Sequence, residues 1–525
     1  MSGALDPFVV EVIRHGLSAA AEEMSLVLVR SARSPLLREA GDLSSTITDA
    51  AGGLVAQGRD IPVHIGAMAF TVRELLKVHP LDRFRPGDAL IYNMGALGGN
   101  HLNDVKVVRP VFLDDEIIAF ALSLAHWPDV GGAWPGSYYA AATDTFQEGM
   151  RIPPVPIVTA AGLDRRVLEM IKANVRDPVS CEGDLLGQIA ATAAAERRIQ
   201  ELCRTHGRSV FLRSIARLHD LSEAEMREAI GGLPDGVYEG EDFLDDGGPD
   251  GGPARIHVRI TIAGDEATFD LSGCCDRLAN FCNTTPFIAG SAVIYAARLL
   301  SGRDMQQNAG ALRPLTIVTR PGSILEPGWD APVAAGNHET SMRIVDAVIR
   351  AMEHVVPHRL AAGGPTTAGL LSFAEPRPGG GWRLLYEVHG GGEGARHDRA
   401  GCPATRVHMT NTSNTPAEML EATYALRVER QAIRRGAGGA GLHRGGDGVV
   451  RAYRVLAPRM LLTTCVERVR VPPYGLQGGA PGLPFRITLE RGGVVSALPG
   501  KANLELVEGD LVTLESCGGG GYGAL

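Results

Sequence analysis

Four short segments in the first third of the chain combine histidine with carboxylate and glycine. They span residues 38–42, 61–66, 98–104 and 125–132, and the last two contain the spacing His-x-x-Asp beside a Gly-Gly step. Imidazole nitrogen together with carboxylate oxygen is a donor set that suits Mn, Fe or Zn. Because the segments lie tens of residues apart, they form a metal site only if the fold brings them together.

The same residues also fit a second interpretation, in which they are polar loop side chains or hydrogen-bonded core histidines. The chain contains 15 histidines and 60 acidic residues, so a His-x-x-Asp or His-x-x-Glu pair arises readily by chance. The spacing alone therefore leaves both interpretations open.

Other familiar catalytic motifs are weak or missing in this sequence. It has neither the G-x-x-x-x-G-K-[ST] phosphate loop nor the G-x-S-x-G nucleophile turn. A nucleotide role for the glycine-rich residues 390–394 stays a minor alternative, because no lysine follows them. A metal or redox role for Cys274, Cys275 and Cys282 is likewise an alternative, because these residues lack the usual zinc spacing.

Charge and cysteine content narrow the class of protein. The net charge is −9, and no block of Lys or Arg is longer than a pair, which argues against nucleic-acid and anionic-membrane binding. The eight cysteines are scattered, and the N-terminus lacks the apolar stretch of a signal peptide. We therefore expect a cytoplasmic protein with reduced thiols.

The candidate segments lie beside strand-like runs. Asp6 and Pro7 predict the start of a long helix. Strands are predicted at residues 43–48, 53–56, 89–92, 105–112 and 117–125. Residues 163–212 have a helical pattern, and Ser222 with Glu225 resembles a capping box at the start of another helix.

The rest of the chain becomes richer in glycine and in strands. After a loop at 242–253, we expect a hairpin of residues 256–262 and 267–271 and helices at 291–300 and 341–352. Glycine accounts for 28 of the last 147 residues but only 38 of the first 378. Further strands are predicted at 449–456, 461–471, 485–489 and 511–514, and we expect the glycine run at 518–523 to be ordered.

These patterns predict a multi-domain α+β fold. We expect an N-terminal α/β domain at 1–240 with the metal site, a central α+β domain at 254–378, and a glycine-rich, β-rich domain at 379–525.

The order of the short motifs resembles that of the hydantoinase B/oxoprolinase family. The matching motifs run through nearly the full chain: Glu39 with residues 42–44, then 62–66, 98–104, 126–132, 135–137, 147–149, 152–154, 174–176, 336–340, 390–394, 414–421, 438–446 and 518–523. Because many motifs match in the same order, the resemblance is far more specific than a match to any single motif.

The resemblance implies a function and a partner. Its members resemble the smaller subunit of ATP-dependent hydrolases of hydantoins, 5-oxoproline or lactams, whose nucleotide is bound by a larger hydantoinase A-like subunit in a hetero-oligomer such as α2β2. Acetone and acetophenone carboxylases contain related subunits, so a bicarbonate-dependent ketone carboxylase is the alternative. A structural subunit without chemistry of its own is a third possibility.

The resemblance also implies a set of site residues. Glu39, His64, Asp104 and His126 are the expected ligands of a divalent metal, Mn or Zn. Asp129 is expected to orient His126. In the mechanism that we expect for such a site, one group that does not bind the metal, His101 or Asp129, acts as the general base.

Two motifs depart from the family pattern. The chain has Asn93-Met94-Gly95-Ala96 where the family usually has Asn-Asp-Pro-Tyr, and the glycine-rich block at 434–441 is altered. We expect the first change to affect substrate choice or to weaken the site.

Overall fold

A seven-stranded sheet forms the centre of the N-terminal part in this computed structural model, which describes residues 5–247 and 251–525. Its strands run in the order β2-β1-β5-β4-β3-β6-β7, and every neighbouring pair is antiparallel. They are β1 (Leu43–Asp49), β2 (Leu54–Gln57), β3 (Ala89–Tyr92), β4 (Asp104–Leu113), β5 (Glu116–His126), β6 (Val155–Thr159) and β7 (Gly162–Leu163).

Helices cover both faces of this sheet. They are α1 (Pro7–Ser31), α2 (Pro62–Val78), α3 (Arg165–Lys172), α4 (Pro178–His206) and α5 (Arg208–Gly231). Val105 and Val107 of β4 pack in one apolar cluster with α1 and α4, whereas Val108 packs in another with α2. Because side chains alternate along a strand, β4 is buried on both faces, which explains its nearly unbroken apolar sequence.

The central part of the chain forms a four-stranded sheet in the order β11-β10-β9-β8. Its elements are β8 (Gly236–Leu244), β9 (Ala254–Ala263), β10 (Glu266–Asp270), α6 (Pro286–Ser301), β11 (Leu315–Val318) and α7 (Thr340–Met352). The expected hairpin is confirmed, since β9 pairs with β10. Ile262 lies opposite Ala267, and Arg259 lies opposite Asp270. The two predicted helices lie within α6 and α7.

The C-terminal part is formed by two sheets that pack together. Their strand orders are β13-β12-β16-β19 and β14-β15-β20-β17-β18. The elements are β12 (Leu370–Pro376), β13 (Trp382–Glu387), α8 (Ala417–Thr423), β14 (Leu426–Arg434), β15 (Gly448–Val455), β16 (Arg459–Cys465), β17 (Arg486–Arg491), β18 (Val494–Leu498), β19 (Lys501–Val507) and β20 (Leu511–Glu515). Phe373 and Leu385 of one sheet share an apolar cluster with Tyr453 and Val512 of the other.

The overall class is α+β, as the sequence predicts. The three-domain division stays a prediction, since the largest cluster of buried apolar side chains draws on all three parts, from Leu36 to Tyr522. In the described ranges 5–247 and 251–525, no helix is both long and apolar enough to cross a membrane.

Several local predictions were wrong. Ser222 is no helix cap: it is buried inside α5, where its Oγ accepts a hydrogen bond from Asn308 Nδ2 at 2.8 Å. The predicted loop at 242–253 is partly strand, since β8 continues to Leu244, and its residues 248–250 lie outside the described part of the chain. The strand predicted at 461–471 ends at Cys465.

The helical stretch predicted at 163–212 is divided by turns. It contains α3, α4 and the start of α5, and Leu163 itself belongs to β7. Asp177 caps α4 by accepting a hydrogen bond from Ser180 N at 3.3 Å, and Pro178 occupies the first helical position.

The glycine run near the C-terminus is hydrogen bonded into the fold, as expected. Gly519 N donates to Gly446 O at 2.9 Å, and Gly520 N donates to Gly363 O at 2.8 Å. A Cβ atom on Gly519 would overlap the carbonyl oxygen of Glu393. Backbones therefore pack here at distances that exclude a side chain, which accounts for part of the glycine excess.

We predict that Gly519→Ala lowers the free energy of unfolding by about 3 kcal/mol, because the added methyl group forces backbone segments apart. Gly252→Ala is the matched control, since no atom lies within 4 Å of its added Cβ. Thermal unfolding measures both variants. Equal melting temperatures would contradict the packing argument.

Lys106 of β4 is a fully buried cation whose Nζ lacks a hydrogen-bond partner in the described structure. Burial lowers its pKa to about 8, although Asp104 opposes the shift. The unfolded chain, with a lysine pKa of about 10.4, binds more protons between these values, so this residue makes stability rise with pH across that window.

We therefore predict that Lys106→Met raises the stability of the metal-free protein at pH 7 by up to about 3 kcal/mol and that the gain shrinks above pH 8. Lys77→Met, at an exposed position, serves as the control. Denaturant unfolding at pH 7 and pH 9.5 measures the difference. A variant that is less stable than the control at pH 7 would refute the prediction.

Candidate metal centre

Two central strands bring a carboxylate and an imidazole face to face. Asp104 is the first residue of β4 and His126 the last residue of β5, and the two are direct partners in the antiparallel ladder. Asp104 Oδ1 lies 3.3 Å from His126 Nδ1. Both side chains are almost completely buried.

His101 completes the centre of this cluster from the loop before β4. Its Nε2 lies 3.0 Å from Asp104 Oδ1 and 3.1 Å from His126 Nδ1. Its Nδ1 lies 2.8 Å from the carbonyl oxygen of Ala334. A carbonyl only accepts hydrogen bonds, so Nδ1 carries the proton and Nε2 of the neutral ring has a free lone pair.

Asp42 and His64 approach the cluster from other elements. A single π-helical turn at Leu36–Ala40 ends at Gly41, whose φ of 70° suits glycine and aims Asp42 inward just before β1. Asp42 Oδ2 lies 3.9 Å from His126 Nδ1. His64, in the first turn of α2, places Nε2 3.8 Å from Asp42 Oδ1 and 3.5 Å from Asp104 Oδ2.

The donor atoms of this cluster fit a divalent metal. Metal–ligand distances of about 2.0–2.2 Å place neighbouring donors about 3.0–3.5 Å apart, which matches His101 Nε2, His126 Nδ1 and Asp104 Oδ1. Asp104 Oδ1 is buried, and no described group donates a hydrogen bond to it. The lone pair of His101 Nε2 faces this acceptor, so the arrangement needs either a second proton on His101 or a cation between them.

The pKa shifts express the same electrostatics. Burial raises the pKa of Asp104, but the charges of His101 and His64 outweigh burial and hold that pKa well below its usual range. Burial lowers the pKa of His101, but Asp104 outweighs it and raises that pKa overall. The pKa of His64 is lowered, chiefly by burial.

A network of aromatic and polar side chains surrounds His101. The Tyr138 hydroxyl lies 3.2 Å from His101 Nδ1, 3.0 Å from His338 Nε2 and 3.2 Å from the Tyr386 hydroxyl. His338 Nδ1 lies 2.9 Å from Glu339 Oε1. Burial raises the pKa of Glu339 to about 8. With Cys465, His338 and Glu339 form a second group of potential metal donors.

An apolar cavity of about 250 Å³ lies beside the cluster. Its walls include Leu102, the neighbour of His101, and Trp329. Gly95 and Ala96, from the segment that departs from the family pattern, also line it. The departure therefore changes the wall of a neighbouring cavity, while Asn93 still anchors the segment by accepting a hydrogen bond from Ile152 N at 2.7 Å.

The sequence profile of the hydantoinase B/oxoprolinase family matches residues 6–525. The chain belongs to the hydantoinase B/oxoprolinase family. It is 29% identical to a putative subunit of the D-/L-hydantoinase from Pseudomonas sp. (strain NS671), over 99% of this chain and 90% of that protein. It is 30% identical to 5-oxoprolinase 1 of Arabidopsis thaliana, over 98% of this chain and 42% of that protein, so it spans about two fifths of the plant enzyme.

Two solved structures share the fold described above. The ATP-dependent caprolactamase from Pseudomonas jessenii superposes with a TM-score of 0.93 at 26% identity, covering 99% of this chain and 92% of that one. A nucleotide-free acetone carboxylase superposes with a TM-score of 0.87 at 17% identity, covering 99% and 76%, which shows the fold alone. The family thus includes ATP-dependent hydrolases of cyclic amides.

Four of the residues that the family resemblance implied lie together: His64, His101, Asp104 and His126. Glu39 does not join them; its side chain is partly exposed, and Oε1 lies 4.0 Å from Arg38 Nη2. From that segment, Asp42 supplies the inward carboxylate. The turn ending at Gly41 aims Asp42, three residues after Glu39, at the histidines, so Asp42 rather than Glu39 lies beside them in this structure.

Asp129 also lies in a different network from the one expected. Its oxygens accept hydrogen bonds from the backbone nitrogens of Gly131, Gly136 and Arg176 at 2.9–3.0 Å, and it pairs with Arg176 Nη1 at 2.9 Å. This carboxylate therefore holds the loop after β5 in shape, and Asp104 takes the place beside His126.

Sequence analysis did not assign Asp42, Tyr138, Tyr386 or His338 to the site. Asp42 lies within a motif that matches the family pattern, and His338 lies between the matching residues Asn337 and Glu339, so a signal existed for Asp42 and a neighbouring one for His338. No local pattern marks Tyr386, which reaches the site from β13.

We predict that Asp42→Asn lowers the bound divalent metal at least tenfold, because an amide replaces an anionic donor, whereas Glu39→Gln leaves it unchanged. Elemental analysis after dialysis against Mn²⁺ or Zn²⁺ measures both. The two variants make the same carboxylate-to-amide change three residues apart. Loss of metal in Glu39→Gln alone would restore the original assignment.

Proposed function

We propose that this chain is the metal-bearing subunit of an ATP-dependent cyclic amide hydrolase, with hydantoins, 5-oxoproline or lactams as the substrate class. The main support for the metal site is that His101 Nε2, His126 Nδ1 and Asp104 Oδ1 lie within 3.3 Å of one another in a buried site. Family membership and the likeness to the caprolactamase support the reaction class.

The proposal includes a larger, nucleotide-binding partner of the hydantoinase A type. The Pseudomonas relative is named as one subunit of a hydantoinase, which describes part of a multi-subunit enzyme. The plant 5-oxoprolinase is more than twice as long as the matched region, which leaves room for a second unit in the same polypeptide. In this proposal the partner uses ATP to activate the ring amide, and the two chains form a hetero-oligomer.

We assign the metal to Asp42, His101, Asp104 and His126. Held there, a Mn or Zn ion would polarise a substrate oxygen and lower the pKa of water toward neutrality. The hydrogen bond from His101 Nδ1 to Ala334 O fixes the ring and keeps its Nε2 available. In this proposal His101 therefore serves as a ligand, whereas the mechanism expected from sequence had His101 or Asp129 as the general base.

His64 is assigned to support the ligands. Its Nδ1 faces Ser44 Oγ at 3.2 Å, and in this assignment the Ser44 hydroxyl donates to Nδ1 while the neutral ring carries its proton on Nε2. The His64 Nε2 atom then lies beside the outer oxygens of Asp42 and Asp104 and orients both carboxylates.

The proton-transfer group in this proposal is His338. Tyr138 links it to the metal cluster, and Glu339 continues the path on its other side. Burial raises the pKa of Tyr138 well above its usual range, so this phenol keeps its proton and donates a hydrogen bond. The path lets a proton move between the Tyr138 hydroxyl, which borders the site, and the Glu339 carboxyl group.

We place the ring of the substrate in the apolar cavity beside Leu102. Trp329 offers a flat apolar face there, and Gly95 and Ala96 leave space that larger side chains would fill. The departure from the family pattern then sets which ring is accepted.

Two alternatives remain. The chain could belong to a ketone carboxylase, or it could be a structural subunit without catalytic activity of its own. The first requires bicarbonate and a ketone as substrates. The second predicts that purified protein holds no stoichiometric metal.

The test is an assay of the chain together with its nucleotide-binding partner, supplied with ATP, Mg²⁺ and a hydantoin, 5-oxoproline or caprolactam. We predict ring-opened product without bicarbonate, a loss of at least about 10³-fold in Asp42→Asn, and retained activity in Glu39→Gln. Trp329→Ala should raise KM with unchanged metal content. Product only with bicarbonate and acetone would replace the hydrolase by a carboxylase.

A further inference from the structure

A second, polar cavity of about 190 Å³ lies behind the wall of the metal centre. Two arginines line it, Arg396 and Arg406, together with Glu393, Tyr295 and His408. It includes part of the glycine-rich segment 390–394 that sequence analysis singled out. The proposed hydrolase mechanism does not use this cavity.

The two arginines present buried nitrogens that lack partners. Arg396 Nε and Arg406 Nη2 are shielded from solvent, and neither has a hydrogen-bond acceptor among the described residues. Leaving one such group unsatisfied costs about 1–3 kcal/mol, and more for a charged group. Two in one cavity therefore point to an acceptor that occupies it.

The charges around the cavity leave an excess of positive charge. Glu393 Oε1 lies 3.6 Å from Arg396 Nη2 and so compensates that residue. His408 Nε2 lies 3.6 Å from Asp346 Oδ1, which is already paired with Arg468. Arg406 has no carboxylate within 4.0 Å in the described part of the chain. Its guanidinium lacks a counter-ion.

Arg406 is held rigidly in this position. Its Nε donates to Thr412 O at 3.1 Å, and its Nη1 donates to Ala368 O at 3.0 Å. Ala368 and Thr412 also line the small cavity at the metal cluster, beside His64 and His126. Arg406 thus lies between the two cavities. Its Nε and Nη1 atoms are hydrogen bonded to the backbone, and its Nη2 atom has no partner among the described residues.

We propose that this cavity is a binding site for a small oxyanion, of phosphate or carboxylate type, held by Arg396 and Arg406. An oxyanion supplies several acceptors and a negative charge, so one bound anion satisfies both free nitrogens and the uncompensated guanidinium. Leu299, Ile349 and Val407 form apolar walls that exclude water from the charge pair and strengthen it.

The test is a calorimetric titration of the full-length chain with inorganic phosphate and, separately, with acetate, after chelation of all metal. Metal removal prevents the anion from binding at the metal cluster, so the result is independent of the proposed hydrolase activity. We expect one saturable site. The probe that binds with the higher affinity indicates whether the natural anion is a phosphate or a carboxylate.

Matched variants locate the site. Arg396→Met and Arg406→Met should each weaken binding at least tenfold, whereas Arg399→Met, an exposed arginine of the same segment, should bind normally. Circular dichroism checks folding. If Arg406→Met does not fold, Arg396→Met decides alone. Two results would overturn the proposal. The first is that neither probe binds at about 10 mM, a Kd that corresponds to only about −3 kcal/mol. The second is undiminished binding in Arg396→Met.

Discussion

The contact between Asp104 and His126 across two buried strands is the constraint on which the site depends. The β4–β5 ladder sets both positions, and helices cover both faces of the sheet, so neither side chain can reach bulk water. A carboxylate buried in this way is costly unless positive charge compensates it. His101 and His64 converge on the same carboxylate, and a divalent cation is the simplest species that satisfies all these donors at once.

The remainder of the chain encloses this group. The carbonyl oxygen of Ala334, in the central part of the chain, accepts a hydrogen bond from His101 Nδ1. Tyr386 approaches from the C-terminal part. The glycine-rich segments allow backbones to pack closely within the later part of the chain. Gly519 shows the limit, because a side chain at that position has no room beside Glu393.

Part of this arrangement could be predicted from sequence. The strands that begin at Asp104 and end at His126 are mostly apolar, and the His-x-x-Asp spacing marked His101 and Asp104 correctly as neighbours in space. The choice between Glu39 and Asp42 could not be made, because both are carboxylates and only the φ of Gly41 decides which one faces inward. The role of Asp129 was also hidden, since its partners are mostly backbone nitrogens from loops distant in sequence. Tyr138 and His338 meet across 200 residues, a separation that local patterns do not report.

X-ray absorption spectroscopy of the protein loaded with one equivalent of Zn²⁺ tests the central claim most directly. The account predicts nitrogen and oxygen scatterers at about 2.0–2.2 Å with the outer-shell signature of two imidazole rings, contributed by His101 and His126. A sulfur scatterer at about 2.3 Å would place the ion at His338, Glu339 and Cys465 instead and would contradict the account.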